Sequence, residues 1–403
     1  MLRIRPFRAW RPNPASASET ACVPYDVIDT DEARAMAAGK PKSFLHVIRP
    51  EIDLPPDTDI HADAVYAQGR AALDRFCADG TLIQDDAESH YIYRIVMGTH
   101  SQTGLFSLVS TADYDEGRIV RHELTRPDKE DDRTRHILTQ EAFAEPVLLI
   151  APRIAGFAEA LKAEEAREPL YDIVTDDGVR HTLWRSVSAL PAKMLAQADR
   201  MYVADGHHRC KAASRAAAEL GETDASFPAV IFPQEQLRIL PYNRILTSVS
   251  DAQWTSFMTS HPPVSEGSAT PGSRGRISVY RAGRWTTHDL PPAASDHADD
   301  KLDASRLQNG VLAPIFGIDN PRTDTRIGFI GGIRGTDELV RLVDSGKADV
   351  AISMHPTSIV ELIAVSDAGL LMPPKSTWFE PKLRSGLLLH RWAHSTGASV
   401  MHP

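Results

Sequence analysis

Apolar residues recur along the chain in two periods, and the alternation between them predicts most of its elements. Residues 91–97 and 102–110 alternate as paired strands do, around the polar turn Gly98-Thr99-His100-Ser101. Ala64, Ala67, Ala71, Leu73 and Phe76 fall at helical spacing, which predicts a helix over 61–79 with Asp59 as its cap and Gly80 as its stop. The short apolar run 44–48 reads as a strand. Further on, 145–151 reads as a strand, 155–167 as a helix, 169–174 and 181–187 as a hairpin around Asp176-Asp177-Gly178, and 189–198 as a helix. A buried strand at 227–232 and a longer one over 237–247 follow.

Breakers punctuate both ends of this pattern. Pro6, Pro12, Pro14 and Pro24 exclude regular helix from the first 28 residues, and Asp29 or Thr30 caps a short helix over 31–38. Residues 261–274 and 291–298 are loops rich in Pro, Gly and Ser; between them 276–281 and 284–289 read as a hairpin. Strands at 326–330 and 349–354 are each followed by a helix, at 336–344 and 357–367. The expectation is a mixed α/β chain of two regions, 1–250 and 251–403.

Composition narrows the class. With 42% hydrophobic and 24% charged residues the chain is an ordinary globular one, and its net charge of −10 argues against a surface that coats nucleic acid. Cys22, Cys77 and Cys210 have no metal-ribbon or disulfide spacing, and no run approaches the 18 or so apolar residues of a membrane helix. A cytoplasmic protein is expected, with a small-molecule substrate and no membrane partner; a homodimer stays open.

Three polar clusters stand out. In Asp205-Gly206-His207-His208-Arg209 a β-prone run hands over to an Ala-rich helix that Gly221 closes, a geometry that offers backbone N–H groups and a positive dipole end to an anion. The plainer alternative is a solvated loop and cap. His122-Glu123-Leu124-Thr125-Arg126 precedes a charged helix that begins near Pro127; a zinc-binding HExxH needs His at 126, where Arg stands, and the charges of 130–135 read as a solvated helix face. The third cluster, 372–382, is stiff with Pro and offers Lys375, Ser376 and Lys382 as ammonium and hydroxyl hydrogen-bond donors suited to phosphate. There is no GxGxxG or Walker motif. Glu123 is a candidate base, and Asp205 a candidate base or Mg2+ ligand.

Pro6-Phe7-Arg8-Ala9, Pro24-Tyr25-Asp26-Val27, residues 44–51, His122-Glu123-Leu124-Thr125, Ala204 to Arg209 and Met372 to Lys382 together resemble the DUF1015 family, which carries no agreed function. The element Asp205 to Arg209 is similar to the signature of the ParB/sulfiredoxin superfamily, which includes free-serine kinases. That resemblance implies a ParB/sulfiredoxin-like nucleotide-binding core with a further mixed-sheet region after it. Phosphates of ATP or ADP would sit on Gly206 to Arg209, with Thr125, Lys375, Ser376 and Lys382 assisting and Mg2+ as counter-ion. Asp205 and Glu123, with His207 and His208, would serve catalysis; Tyr25, Asp26, His122 and Arg126 would meet the acceptor, free L-serine first among hydroxyl metabolites. The alternatives are a phosphoserine phosphatase or phosphotransferase using a His of the pair, a ParB-like nucleotide- or DNA-binding regulator without turnover, and a metal hydrolase built on His207, His208 and Asp205.

Overall fold

The computed structural model describes residues 1–392. The described residues group into two compact units: Met1–Val120, Leu124–Gln236 and 381–392 form the first, and Arg121–Glu123 with Leu237–Glu380 the second. The architecture is mixed α/β.

In the first unit the elements are β1 (Ile4–Arg5), α1 (Thr30–Ala37), α2 (Leu45–Ile48), α3 (Asp63–Ala78), β2 (Tyr91–Met97), β3 (His100–Ser110), β4 (Ile119–Val120) and α4 (Pro127–Gln140). They continue with β5 (Val147–Ala151), α5 (Phe157–Glu164), β6 (Tyr171–Val174), β7 (Arg180–Arg185), α6 (Leu190–Ala196), β8 (Met201–Asp205), α7 (His207–Glu219) and β9 (Ser226–Pro233). One nine-stranded sheet runs in the order β4-β8-β5-β9-β3-β2-β7-β6, with β1 against the far end of β3. Only β8 with β4 and β9 with β5 are parallel. Val147, Leu149, Phe227, Ala229 and Ile231 face a core closed by Phe157, Leu161, Leu195, Cys210 and Ala213 from the helices. Their neighbours Leu148, Ile150, Val230 and Phe232 are buried as well, so these central strands are covered on both faces and read as unbroken apolar runs.

The second unit adds β10 (Ile239–Leu240), β11 (Tyr242–Leu246), α8 (Asp251–Ser260), β12 (Pro263–Glu266), β13 (Arg276–Arg281), β14 (Arg284–Asp289), β15 (Ile327–Gly331), α9 (Gly335–Asp344), β16 (Val350–Met354), α10 (Ile359–Asp367) and β17 (Trp378–Phe379). Six of these make an antiparallel sheet in the order β12-β14-β13-β16-β11-β15. Leu246, Phe257, Ile277, Val279, Val350 and Ile352 build its core. Reciprocal capping boxes start α8 at Ser250 and α10 at Ser358. Among the described residues no helix is long and apolar enough to cross a membrane.

The first 28 residues, expected to hold no regular helix, contain one helical turn at Ala17–Thr20, in the proline-free stretch between Pro14 and Pro24. Three further local expectations change. The run 44–48 is one helical turn, α2, with Leu45, Val47 and Ile48 all buried; an apolar run buried on every side carries no period that separates helix from strand. The strand expected over 237–247 is split into β10 and β11 at Pro241, which has no N–H for a ladder. The third change is in α4, whose Asp132, Arg133 and Thr134 are buried rather than a solvated face. There Tyr66 donates to Asp132 Oδ1 at 2.9 Å and Arg133 Nε to Oδ2 at 2.9 Å, while the Arg133 guanidinium lies 4.0 Å from the Tyr25 ring centre.

Burial alone would push the Asp132 carboxyl up, but Arg133 and the Tyr66 hydroxyl outweigh it and hold it down at about 2. A carboxyl depressed in the fold stabilises above its unfolded value of about 3.9 and loses that stabilisation as pH falls through its folded value. Asp132→Asn should therefore cost on the order of 2 kcal/mol at pH 7. Urea unfolding of both proteins at pH 7 and near pH 2.5 checks this, with the gap expected to shrink in acid.

Candidate functional site

Strand β8 is buried from Met201 through Ala204, and its register against β5 slips between Val203 and Asp205. A bulge of this kind re-aims the side chain that follows it, here Asp205. Gly206 then turns the chain with φ of +102°, a conformation in the left-handed region that side chains disfavour. A Cβ there would also lie 3.1 Å from Arg209 Nε. Helix α7 starts at His207 and its ladder opens with Cys210 N donating to Gly206 O at 2.9 Å. The N–H groups of the first turn thus point out of the helix end, where the dipole is positive.

Two cations flank this end. Lys382 Nζ donates to Asp205 Oδ1 at 2.8 Å and Arg209 Nη2 to Oδ2 at 2.7 Å, so both carboxylate oxygens are engaged. The other terminal nitrogen of Arg209 donates to the Pro146 carbonyl at the head of β5, and its Nε has no hydrogen-bond partner among the described residues. Burial would raise the Asp205 carboxyl, yet Lys382 and Arg209 hold it far below the ordinary range. As placed here, Asp205 anchors two positive groups with both of its oxygens.

Behind Arg209 lies a second layer that the sequence reading missed. Glu145, 9% exposed, accepts from Tyr25 N and Ser385 Oγ, each at 3.3 Å, and faces Arg133 Nη1 at 3.5 Å. Burial raises its carboxyl against the pull of Arg209 and Arg133. Arg133, His136, Glu145 and Arg209 line, with apolar neighbours such as Ile137 and Phe143, a cavity of about 40 Å³, room for a few waters and no metabolite. A signal was present: Arg133, His136, Ile137 and Gln140 share one face of α4 at helical spacing, and Glu145 interrupts an apolar stretch.

The expected site residues fall in different places. Tyr25, Asp26, Thr125, Arg126, Asp205, Gly206, His207, His208, Arg209 and Lys382 belong to the first unit. Arg126 N donates to His208 Nε2 at 3.1 Å, the Arg126 guanidinium pairs with Asp128 at 2.7 Å, and the Thr125 hydroxyl donates to Glu130. His122, Glu123, Lys375 and Ser376 belong to the second. There the His122 carbonyl accepts from Met372 N at 2.8 Å, Lys375 is exposed with its Nζ 5.6 Å from the Tyr242 ring centre, and Ser376 Oγ donates to Pro373 O at 2.7 Å.

Among solved structures, the chain is similar to a free serine kinase in complex with AMP, at 12% identity and a TM-score of 0.37, covering 68% of this chain and 86% of that one. It is similar also to a C-terminally truncated SbnI from Staphylococcus aureus, at 17% identity and a TM-score of 0.39 over 70% and 86% of the two chains. A conserved hypothetical protein from Pyrococcus furiosus matches at 12% identity and a TM-score of 0.36, over 68% and 90%. No curated protein matches in sequence. The model of one family, described as a protein of unknown function (DUF1015), matches residues 4–305, three quarters of the sequence, and the chain belongs to that family.

Proposed function

We propose that the protein is a phosphotransferase that binds a nucleotide, ADP or ATP, by its phosphates at the start of α7 and passes a phosphoryl group to the hydroxyl of a small metabolite, free L-serine foremost. The observation that carries this reading is a glycine-led helix N-terminus with Lys382 and Arg209 fixed beside it by one ionised carboxylate. Phosphoryl transfer needs mainly positioning and charge neutralisation, and this arrangement supplies fixed positive charge without a metal at Asp205. Arg209 is engaged by Asp205 and the Pro146 carbonyl, so its part is to add charge and hold the turn rather than to grip phosphate with both arms. Lys382, with a compact ammonium, is the cation suited to meet the phosphate directly.

The phosphatase alternative draws less support. That alternative would use a His of the pair as nucleophile or acid, and His208 Nε2 accepts the Arg126 N–H at 3.1 Å, which favours a positioning part for His208.

Incubation with ATP or ADP, Mg2+ and a panel of hydroxyl metabolites including L-serine, with products read by mass spectrometry, tests the reading; no phosphorylated product from either nucleotide would sink it. Lys382→Ala should weaken nucleotide binding by roughly tenfold or more, the size expected for a lost charge-assisted contact. Isothermal titration measures this. Gly206→Ala should lower stability by about 1–3 kcal/mol through backbone strain and contact with Arg209, and lower nucleotide affinity with it. Thermal melts run beside the titrations separate the two effects.

A further inference from the structure

Four arginines are buried among the described residues: Arg133, Arg209, Arg244 and Arg384. Arg133 pairs with Asp132, Arg209 with Asp205 and Arg384 with Asp177. Arg244, 4% exposed, pairs with no carboxylate among the described residues. One of its terminal nitrogens donates to the Tyr242 carbonyl and the other to the Lys375 carbonyl at 3.3 Å, while its guanidinium carbon lies 5.5 Å from the Phe329 ring centre. A guanidinium has more N–H donors than these two bonds use. Carbonyl dipoles and a ring face ease the burial of a cation without cancelling its charge. Burial lowers the Arg244 pKa to about 10, so the side chain stays charged at neutral pH.

Tyr242, Arg244 and Leu246 alternate onto one face of β11. Leu246 enters the core there, and the cross-strand neighbours of Arg244 are Ile352, which belongs to that core, and Phe329, which packs against it. Alternation thus calls for an apolar residue at 244, and a charge kept at such a position points to a use for it. Lys375 brings a second cation to the same residues. It is exposed, its Nζ lies 5.6 Å from the Tyr242 ring centre, and it too has no carboxylate partner among the described residues. Its backbone takes a φ of +57°, uncommon for a residue with a Cβ. The loop is held by Ser376 Oγ donating to Pro373 O at 2.7 Å and Thr357 Oγ1 to Ser376 O at 2.9 Å. The Trp378 ring meets that of Tyr242 edge to face with centres 5.2 Å apart, and its indole N–H donates to the buried Glu380 at 2.8 Å; Glu380 forms no ion pair with either cation.

We infer that Arg244 and Lys375 form an anion site of the second unit, which binds the phosphate group of a small phosphorylated molecule. Two cations with no carboxylate of their own match the nearly doubled negative charge of a phosphate monoester at neutral pH. Lys375 meets the group from the exposed side and the spare N–H groups of Arg244 from the buried one, between the half-buried rings of Tyr242, Phe329 and Trp378. All five residues lie within 237–380, so the site stands whether or not the protein transfers phosphoryl groups. The sequence reading offered Lys375 to phosphate and passed over Arg244, which it took as one position of a long strand.

The test uses the full chain carrying Lys382→Ala, which weakens phosphate binding at the start of α7, alone and combined with Lys375→Gln or Arg244→Met. Inorganic phosphate, AMP and O-phospho-L-serine are each titrated by calorimetry, with acetate as a singly charged control, and melting is followed with and without each of them. At least one phosphate compound should bind and raise the melting temperature, and the tightest of the three identifies the source of the phosphate. Lys375→Gln should weaken that binding by roughly tenfold while melting without ligand stays unchanged. Arg244→Met should abolish both the binding and the rise in melting temperature. A Lys382→Ala protein that binds none of the three, acetate bound as tightly as phosphate, or an affinity untouched by Lys375→Gln overturns the inference and leaves Arg244 a cation of the fold alone. Should Arg244→Met not fold, Lys375→Gln decides by itself; should Lys382→Ala not fold, the same substitutions are read in the wild-type chain.

Discussion

Asp205 held between Lys382 and Arg209 is the constraint on which the rest of the first unit's polar arrangement turns. The three residues come from the end of β8, the first turn of α7 and the segment that returns after Glu380. Removing one partner of a buried charge group leaves the others uncompensated, which typically costs about 3–5 kcal/mol, whereas the complete group roughly balances its own desolvation. The arrangement thus specifies geometry more than it adds stability. It permits one placement of the turn at Gly206, one of the Lys382 ammonium and one of the Arg209 guanidinium.

That placement needs the returning segment to be docked, and its contacts show how this is achieved. Ser385 exchanges backbone hydrogen bonds with Cys22, and Leu389 with Trp10. Arg384 pairs with Asp177, and its N–H donates to the buried Tyr93 hydroxyl at 3.3 Å; that hydroxyl also contacts His181 Nδ1 at 2.8 Å. Leu387, Leu388 and Leu389 are buried. Lys382 is therefore brought to Asp205 across 177 positions of sequence by a strip with its own apolar and hydrogen-bonded footing. Closing so long a loop has an entropy cost that grows only slowly with length, which a few buried leucines and ladder bonds offset.

A second layer, Glu145 with Arg133 and Tyr25, stands behind the first and does different work. It keeps a carboxylate and two guanidiniums in a space lined largely by apolar side chains, where electrostatic interactions are little screened. Its reach through Tyr25 to Arg49 and Glu51 ties the otherwise irregular segment after Pro24 to α2 and the start of α1. An exposed residue on that segment is accordingly fixed by contacts it does not itself make.

Much of this was determined by the sequence alone. Alternation and helical spacing marked β2, β3, α3, the β6–β7 and β13–β14 hairpins and α7, because one period dominates each of those stretches. The glycine between Asp205 and the Ala-rich run announced a strand-to-helix turn, since few other residues tolerate its φ. Family membership followed from long motifs spread over nearly the whole chain. Tertiary structure alone decided what the charges do. That Asp205 meets an ammonium as well as Arg209 depends on Lys382, whose distance from it no local pattern encodes. Whether Arg133 meets water or Glu145 depends on which face of α4 is covered, and a search that counts only apolar residues passes over a stripe made of Arg133, His136 and Gln140. Burial sets the basicity of a side chain and the strength of its pairings, and burial is a property of the packed fold.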